Sequence, residues 1–225
     1  MRIDILSSLP HLLNEPFTTS ILAKAIKKKI VEIHIHDLRD YAKNNKKQID
    51  DYSYGGGGGM VLMIEPIANC INKLQQEREY QSVIFMTPDG KKLTQSTCNE
   101  LSQQRNIIIL CGRYEGVDQR IRDIFVNKEI SIGDYVLTGG ELPALVLCDS
   151  IIRLLPGSMS NSSCALSDSF QDNLLAPPIY TRPSDFKGHK VPDILLSGDT
   201  TKISDWKEEQ AYKKTEQKRP DLLDQ

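Results

Sequence analysis

Two short segments combine glycines with charged and aromatic residues in an order suited to holding a small molecule. Cys111-Gly-Arg-Tyr-Glu-Gly116 leaves a run of β-branched residues and enters a helical pattern, and Ser131-Ile-Gly-Asp-Tyr-Val-Leu-Thr-Gly-Gly-Glu141 does the same. In an open α/β sheet, turns at the carboxyl ends of the strands border the ligand crevice. Neither turn resembles a phosphate cradle, so the ligand they suit carries polar groups that are not chiefly phosphates. Taken alone, the first is equally readable as a turn closed by an Arg–Glu ion pair.

Two further segments carry weaker signals. The run Gly55–Gly59 allows backbone conformations closed to other residues and lets a chain approach a ligand closely. It has neither the Walker ending nor the Rossmann spacing, and a surface loop is its plain alternative. Asp168-Ser-Phe170 places a carboxylate in a Ser-rich stretch, with Tyr180-Thr-Arg-Pro183 downstream. Such a carboxylate is ordinarily solvated, but one that a partner desolvates becomes a better proton acceptor.

These segments need a scaffold, and the hydrophobic pattern supplies one. Short β-branched runs at 3–7, 31–36, 82–86, 107–111 and 129–132 alternate with helical patterns at 20–29, 66–79, 94–103 and 117–125. That alternation predicts an α/β fold with a parallel sheet. The strongly apolar stretch 141–155 begins with an acid and a proline and stops at Pro156-Gly157, which predicts a helix buried on most sides. Beyond it the composition turns to Ser and small residues, then to a proline-rich stretch at 176–183 and a polar helix at 204–218. The expected organisation is a domain over 1–158, a linker over 159–169 and a small helical domain over 170–225.

Bulk properties exclude several classes. Hydrophobic residues make up 39% and charged residues 26% of the 225, the profile of a soluble globular protein. No apolar run is long enough to span a membrane. Five widely spread cysteines without a Cys-x-x-Cys pair argue against a disulfide framework or a zinc site, and for a reducing, cytoplasmic setting. His34-x-His36 is the one close histidine pair, on one face of a strand. A net charge of −2 gives no global sign of a nucleic-acid partner. Local patches at Lys24 with Lys27–Lys29, at Lys43 with Lys46 and Lys47, at Lys187 with Lys190, and at Lys213–Lys214 with Lys218 and Arg219 suit either phosphate contact or solvation.

In order along the chain, these segments closely resemble one family, the bacterial tRNA (guanine-N1)-methyltransferases of the SPOUT, or trefoil-knot, superfamily. The ordered set includes Asp50-Asp51, Tyr54-Gly-Gly-Gly, Gly59-Met60 and Pro88-x-Gly90. It continues through Leu110–Gly116, Ser131–Pro143, Arg153 before Pro156-Gly157, Asp168-Ser-Phe170 and Tyr180–Pro183. It closes with Leu195-Leu-Ser-Gly198, Trp206 and Arg219-Pro-x-Leu-Leu223. The usual Gly-Pro-Gly-Met reads Gly-Gly-Gly-Met60 here, and Cys164, Ser167 and Ile179 also depart from the family pattern.

The resemblance implies a parallel sheet with a deep trefoil knot tied between about Phe85 and Glu141, followed by a helical tRNA-binding domain. It implies S-adenosylmethionine as methyl donor, held by Phe85, Met86, Thr87 and Pro88, by Gly112, Arg113, Tyr114, Glu115 and Gly116, and by Ser131, Ile132, Gly133, Asp134, Tyr135, Val136, Leu137, Thr138, Gly139 and Gly140. Substrate contacts fall by the same resemblance on Asp50, Gly55, Gly56, Gly57, Gly59, Met60, Tyr180 and Arg182. The implied reaction is methyl transfer to N1 of the guanosine immediately 3′ of the tRNA anticodon, within a homodimer whose sites are closed by the other subunit. Asp168 takes the role of general base. Arg153 either stabilises charge developing at O6 or fixes Asp168 or the cofactor. The resemblance leaves room for Mg2+ in turnover, and the sequence shows no ligand cluster for it. The competing readings are another SPOUT RNA methyltransferase, a non-catalytic RNA-binding protein of the same fold, and a generic nucleotide-binding α/β enzyme.

Overall fold

The computed structural model describes residues 1–159 and 168–224. The chain forms two compact units, Met1–Ser160 and Asn161–Gln225. In the first, strand β1 (Arg2–Ser7) leads through helices α1 (His11–Asn14) and α2 (Ser20–Lys27) to β2 (Glu32–Asp37). A hairpin of β3 (Asp50–Tyr52) and β4 (Met60–Leu62) precedes α3 (Ile64–Glu77). The chain continues through β5 (Ser82–Lys92), α4 (Gln95–Ser102), β6 (Asn106–Cys111), α5 (Gln119–Ile124), β7 (Lys128–Ser131) and α6 (Glu141–Ile152). Five strands form one sheet in the order β2-β1-β6-β5-β7, and every adjacent pair is parallel.

Alternation within the central strands explains why helices cover both faces. On β6, Ile107, Ile109 and Cys111 join the core under α1, α2, α4 and α6. Ile108 and Leu110 point the other way, into the core under α3 and α5. Helix boundaries follow local chemistry. The Asp118 side chain accepts the Arg120 N–H and starts α5 later than the apolar spacing from Val117 predicts. Strand β5 extends well past Met86, where its apolar run ends. Met86 and Lys91 both face Ile130, so Thr87–Gly90 bulges out of the ladder, at a proline that has no N–H to give it.

Helix α6 differs from expectation. It buries Ala144, Leu147, Cys148, Ile151 and Ile152, but Leu142 is 55% and Val146 44% exposed. One face packs on the sheet while the opposite apolar face is left open. Cys70, Cys98, Cys111 and Cys148 are buried free thiols, and burial pushes Cys70 up to about 12. Cys164 and Ser167 lie outside the described residues, as does most of the stretch expected to be a linker. No helix among the described residues is long and apolar enough to cross a membrane.

The second unit is built differently. Two-residue strands β8 (Asp185–Phe186) and β9 (His189–Lys190) pair antiparallel, followed by α7 (Asp193–Leu196) and the long α8 (Thr200–Lys218). Asp199 caps α8 by accepting the Lys202 N–H, which starts the helix before the predicted Ser204. Within α8 only Ala211 and Thr215 are buried. Polar contacts hold the neighbouring chain to the helix: the Leu175 N–H donates to Thr215 Oγ1 at 2.8 Å, and Lys214 Nζ to the Ala176 carbonyl at 2.7 Å.

One polar cluster lies inside the first unit. Asp4, fully buried on β1, accepts from Arg2 at 2.7 and 2.8 Å, from Tyr80 Oη at 2.8 Å and from His36 Nε2 at 2.8 Å. An ionised carboxylate only accepts, so Nε2 of His36 carries the proton. Its Nδ1 lies 2.9 Å from Tyr41 Oη. His36 therefore serves this network, while His34 faces Glu32 at 3.7 Å. Burial alone would raise the Asp4 pKa, but the bonds from His36, Arg2 and Tyr80 outweigh it and hold the carboxyl well below the usual carboxylate range.

A depressed folded-state pKa contributes stability that is fully present above the unfolded value and is lost as pH falls toward the folded one. Asp4→Asn is expected to cost about 3 kcal/mol at pH 7, because it leaves Arg2 uncompensated. The gap to the unaltered protein should narrow as pH drops below about 4. Urea melts followed by circular dichroism between pH 7 and pH 3 would measure it; a gap independent of pH would refute the assignment.

Candidate active site

The middle of β5, the carboxyl ends of β6 and β7 and the start of α6 enclose a cleft of about 380 Å³. Three chain segments line it: Phe85–Asp89 from β5, Gly112–Val117 after β6, and Ile130 to Gly140 after β7, apart from Asp134. Two of these are the glycine turns that stand out in the sequence. The Gly140 N–H donates to the Gly112 carbonyl at 2.8 Å, and Arg113 and Gly139 form an antiparallel bridge. Here glycine is required by space. A Cβ on Gly140 would lie 2.7 Å from the Cα of Cys111 and 2.8 Å from the Gly112 nitrogen.

The base of the cleft is pinned from below. Glu141, buried in the first turn of α6, accepts from Ser7 Oγ at 2.7 Å, so the end of β1 fixes the entry of the helix. Burial, then the nearby Glu141, pushes the Cys111 thiol well up. Cys111 is therefore no nucleophile at neutral pH.

One wall depends on Arg122 of α5. It donates to both Glu129 carboxylate oxygens at 2.7 Å and to Asp89 at 2.8 Å, and its guanidinium lies 5.5 Å from the Phe85 ring centroid. The Thr87 hydroxyl also bonds Asp89. The Thr87 and Arg122 bonds lower the Asp89 pKa. The bulge Thr87–Gly90 is thereby held by a charged fork and an aromatic face. Tyr114 sits at φ 60, a conformation uncommon for a bulky residue, with the Arg113 guanidinium 5.8 Å from its ring centroid.

The glycine-rich hairpin joins the same site. The Glu115 N–H donates to the Met60 carbonyl and the Leu62 N–H to that of Gly116, both at 3.0 Å. Gly59 packs against the Glu115 side chain, where a Cβ would come within 2.7 Å. Gly55, Gly56 and Gly57 occupy positive φ at the exposed tip, and Asp50 pairs with Leu62.

Of the residues expected to hold a cofactor, the cleft gathers all except Asp134, which turns away to pair with Lys92 at 2.6 Å. Asp89, Val117, Arg122, Ile130 and Pro143 also line it. Asp89 and Pro143 fall inside the motifs Pro88-x-Gly90 and Ser131–Pro143, but the residue type of none of the five marks a ligand contact. Arg122 looks like a solvated helix charge, and only its partners on other elements reveal a role. Arg153 caps α6, its N–H on the Asp149 carbonyl at 3.2 Å. Asp168 is half-buried in the second unit. Also in that unit are Tyr180, whose ring centroid is 6.5 Å from that of Trp206, and the exposed Arg182. Among the described residues no group of three His, Cys, Asp or Glu side chains could hold a metal ion. A cleft that combines glycine backbone with the side chains of Phe85, Tyr114, Tyr135 and Leu137 suits a flat ligand with mixed polar edges.

The family described as "tRNA (Guanine-1)-methyltransferase TrmD" matches residues 1–225. A protein of Christiangramia forsetii named tRNA (guanine-N(1)-)-methyltransferase is 65% identical, covering 100% of this chain and 99% of its own. Proteins of the same name from Flavobacterium johnsoniae and Bacteroides thetaiotaomicron are 59% and 55% identical, each covering 100% of both chains.

Gly140→Ala must displace backbone rather than a flexible side chain, and overpacking of this kind costs about 1–3 kcal/mol. Its melting temperature is expected to fall by roughly 3–10 °C. Gly58, with nothing within 4 Å of a built Cβ and no positive φ, serves as the contrast. Gly58→Ala should melt within about 1 °C of the unaltered protein. Equal melting of the two variants would show that the backbone approach at Gly140 is not tight.

Proposed function

The chain belongs to the TrmD family of tRNA (guanine-1)-methyltransferases, and we propose that it transfers a methyl group from S-adenosylmethionine to N1 of the guanosine immediately 3′ of the tRNA anticodon. The observation that carries this reading is the cleft formed by the two glycine turns, where Gly140 closes against Cys111 and Gly112 against the Phe85 ring. Those residues fit the cofactor: the backbone of Gly112–Gly116 and Ile132–Gly140 offers donors and acceptors for an adenine and a ribose, and Phe85, Tyr114 and Leu137 add apolar surface. When bound, the cofactor supplies an electrophilic methyl group on a sulfonium.

The chain's own residues do the rest. Guanine N1 carries a proton and is a poor nucleophile until it leaves. Asp168 accepts that proton, and the freed pair on N1 takes the methyl. Negative charge appears at O6 as that proton leaves and is discharged when N1 takes the methyl; the Arg153 guanidinium, permanently charged and forked, stabilises it in between. Asp50, the glycine hairpin, Tyr180 and Arg182 contact the RNA.

The same reading extends to architecture. The segment from about Phe85 to Glu141 is proposed to be knotted. In support, β5 lies between β7 and β6 in the sheet, yet the chain leaving β7 bonds the turn after β6 through Gly140 and Gly112. Threaded chains are rare, and such a crossing is where one would arise. The proposed domains are 1–158 for the cofactor and 170–225 for tRNA, joined by 159–169. We also propose a cytoplasmic homodimer in which Asp168 serves the partner's cleft. The open apolar face of α6, with Leu142 and Val146, and the exposed Leu12 of α1 support such an interface.

Labelled methyl transfer to an unmodified tRNA transcript tests the reaction. Label should appear with guanosine at the target and vanish when adenosine replaces it. Asp168→Asn should lower kcat by about 10²–10⁴-fold with little change in cofactor binding. Label on both transcripts would point to another RNA methyltransferase activity, and an unimpaired Asp168→Asn enzyme would remove Asp168 from the chemistry.

A further inference from the structure

The hairpin beside the cleft carries two aromatic side chains that the first unit leaves uncovered. Tyr52 is 78% and Tyr54 101% exposed. Single exposed aromatics are ordinary, but these two stand one residue apart on an element fixed to the site from its other strand. Tyr52 pairs with Met60, whose carbonyl accepts the Glu115 N–H at 3.0 Å. The glycines that follow bring no side chain between the rings and solvent.

The charges around the rings indicate what they could meet. Asp50 and Asp51 precede them, and no Lys or Arg occurs from Gln48 to Met60, so the hairpin itself is a poor phosphate site. The loop before it is the reverse: Lys43 and Lys46 are exposed, and Lys47 pairs with Asp40 at 2.8 Å. A basic stretch next to uncharged aromatic faces is the arrangement that binds unpaired nucleotides, with cations on the backbone and rings against the bases.

We propose that Tyr52 and Tyr54 form a stacking platform for unpaired bases flanking the methylated guanosine. Lys43 and Lys46 meet the phosphates of the same loop. This rests on the tRNA reading above and deepens it: the hairpin positions the RNA loop, and Tyr52 and Tyr54 are positioning residues that take no part in proton or methyl transfer. Stacking needs the ring and not the hydroxyl, so phenylalanine should replace tyrosine at both positions.

The test uses the full chain and an anticodon stem-loop RNA with 2-aminopurine next to the target guanosine. The unaltered protein and the Tyr52→Phe/Tyr54→Phe variant should quench the probe and bind it alike. The Tyr52→Ala/Tyr54→Ala variant should lose the quench and bind at least about tenfold more weakly. With tRNA as substrate, its KM should rise by a similar factor, while kcat and the KM for the methyl donor stay unchanged. Both rings are exposed, so the melting temperature should not move. Binding by the double alanine variant within twofold of the unaltered protein would overturn the proposal. So would a phenylalanine variant as weak as the alanine one, which would indicate hydroxyl hydrogen bonds. A change in sedimentation of the alanine variant would overturn it in favour of contact between copies. Quenching by an unaltered protein that transfers no methyl would leave the platform standing and remove the catalytic reading.

Discussion

The site depends on how closely two pieces of backbone pass at the end of β6. Gly140 meets Cys111 and Gly112 with no room for a Cβ, and its N–H donates to the Gly112 carbonyl. That approach fixes the turn after β6 and the long turn after β7 against each other, and those two turns supply most of the cleft. It also sets where α6 begins. Glu141 follows directly and is buried against Ser7 of β1. A displaced turn would therefore be felt by the cleft, by the helix and by the sheet together, as expected of an interior with little free volume.

Charge is used sparingly inside this frame, and never alone. Asp4 sits among Arg2, His36 and Tyr80, and Arg122 sits between Asp89 and Glu129 over the Phe85 ring. The first cluster ties β1 to β2 and to the chain after α3, away from the cleft. The second holds the bulge of β5 that forms one wall of it. In both, a buried or half-buried ion is tolerable because several donors or acceptors converge on it. The second unit has little apolar burial and relies on side-chain bonds to backbone along α8, in keeping with its polar composition.

Much of this was legible in the residues. The β-branched runs give all five strands of the sheet. Residues 107–111 of the central β6 and 83–86 of β5 are apolar throughout because both faces are covered, while the edge strands β2 and β7 show only Ile among polar residues. The glycine turns pointed to a ligand at the sheet edge, and the cleft lies there. The ordered motifs pointed to the family. Less visible were the extension of β5 beyond Pro88, the hairpin around the glycine run and the open side of α6. A proline normally ends a strand, three-residue strands leave almost no periodicity, and an apolar helix reads the same whether its outer face is covered or not.

Sequence alone determined the order of strands and helices, the two glycine turns at strand ends, and, through the ordered motifs, the family. These are properties of short segments, set by side-chain period and local hydrogen bonding. Only the tertiary structure decided that Gly140 meets Cys111, that His36 serves Asp4 rather than pairing with His34, that Arg122 braces a wall of the cleft, and that Asp134 turns out of it. Each of these joins elements that the chain brings together only by folding. Hydrophobic patterning selects the face a residue occupies and is silent about which distant backbone or side chain will meet it there.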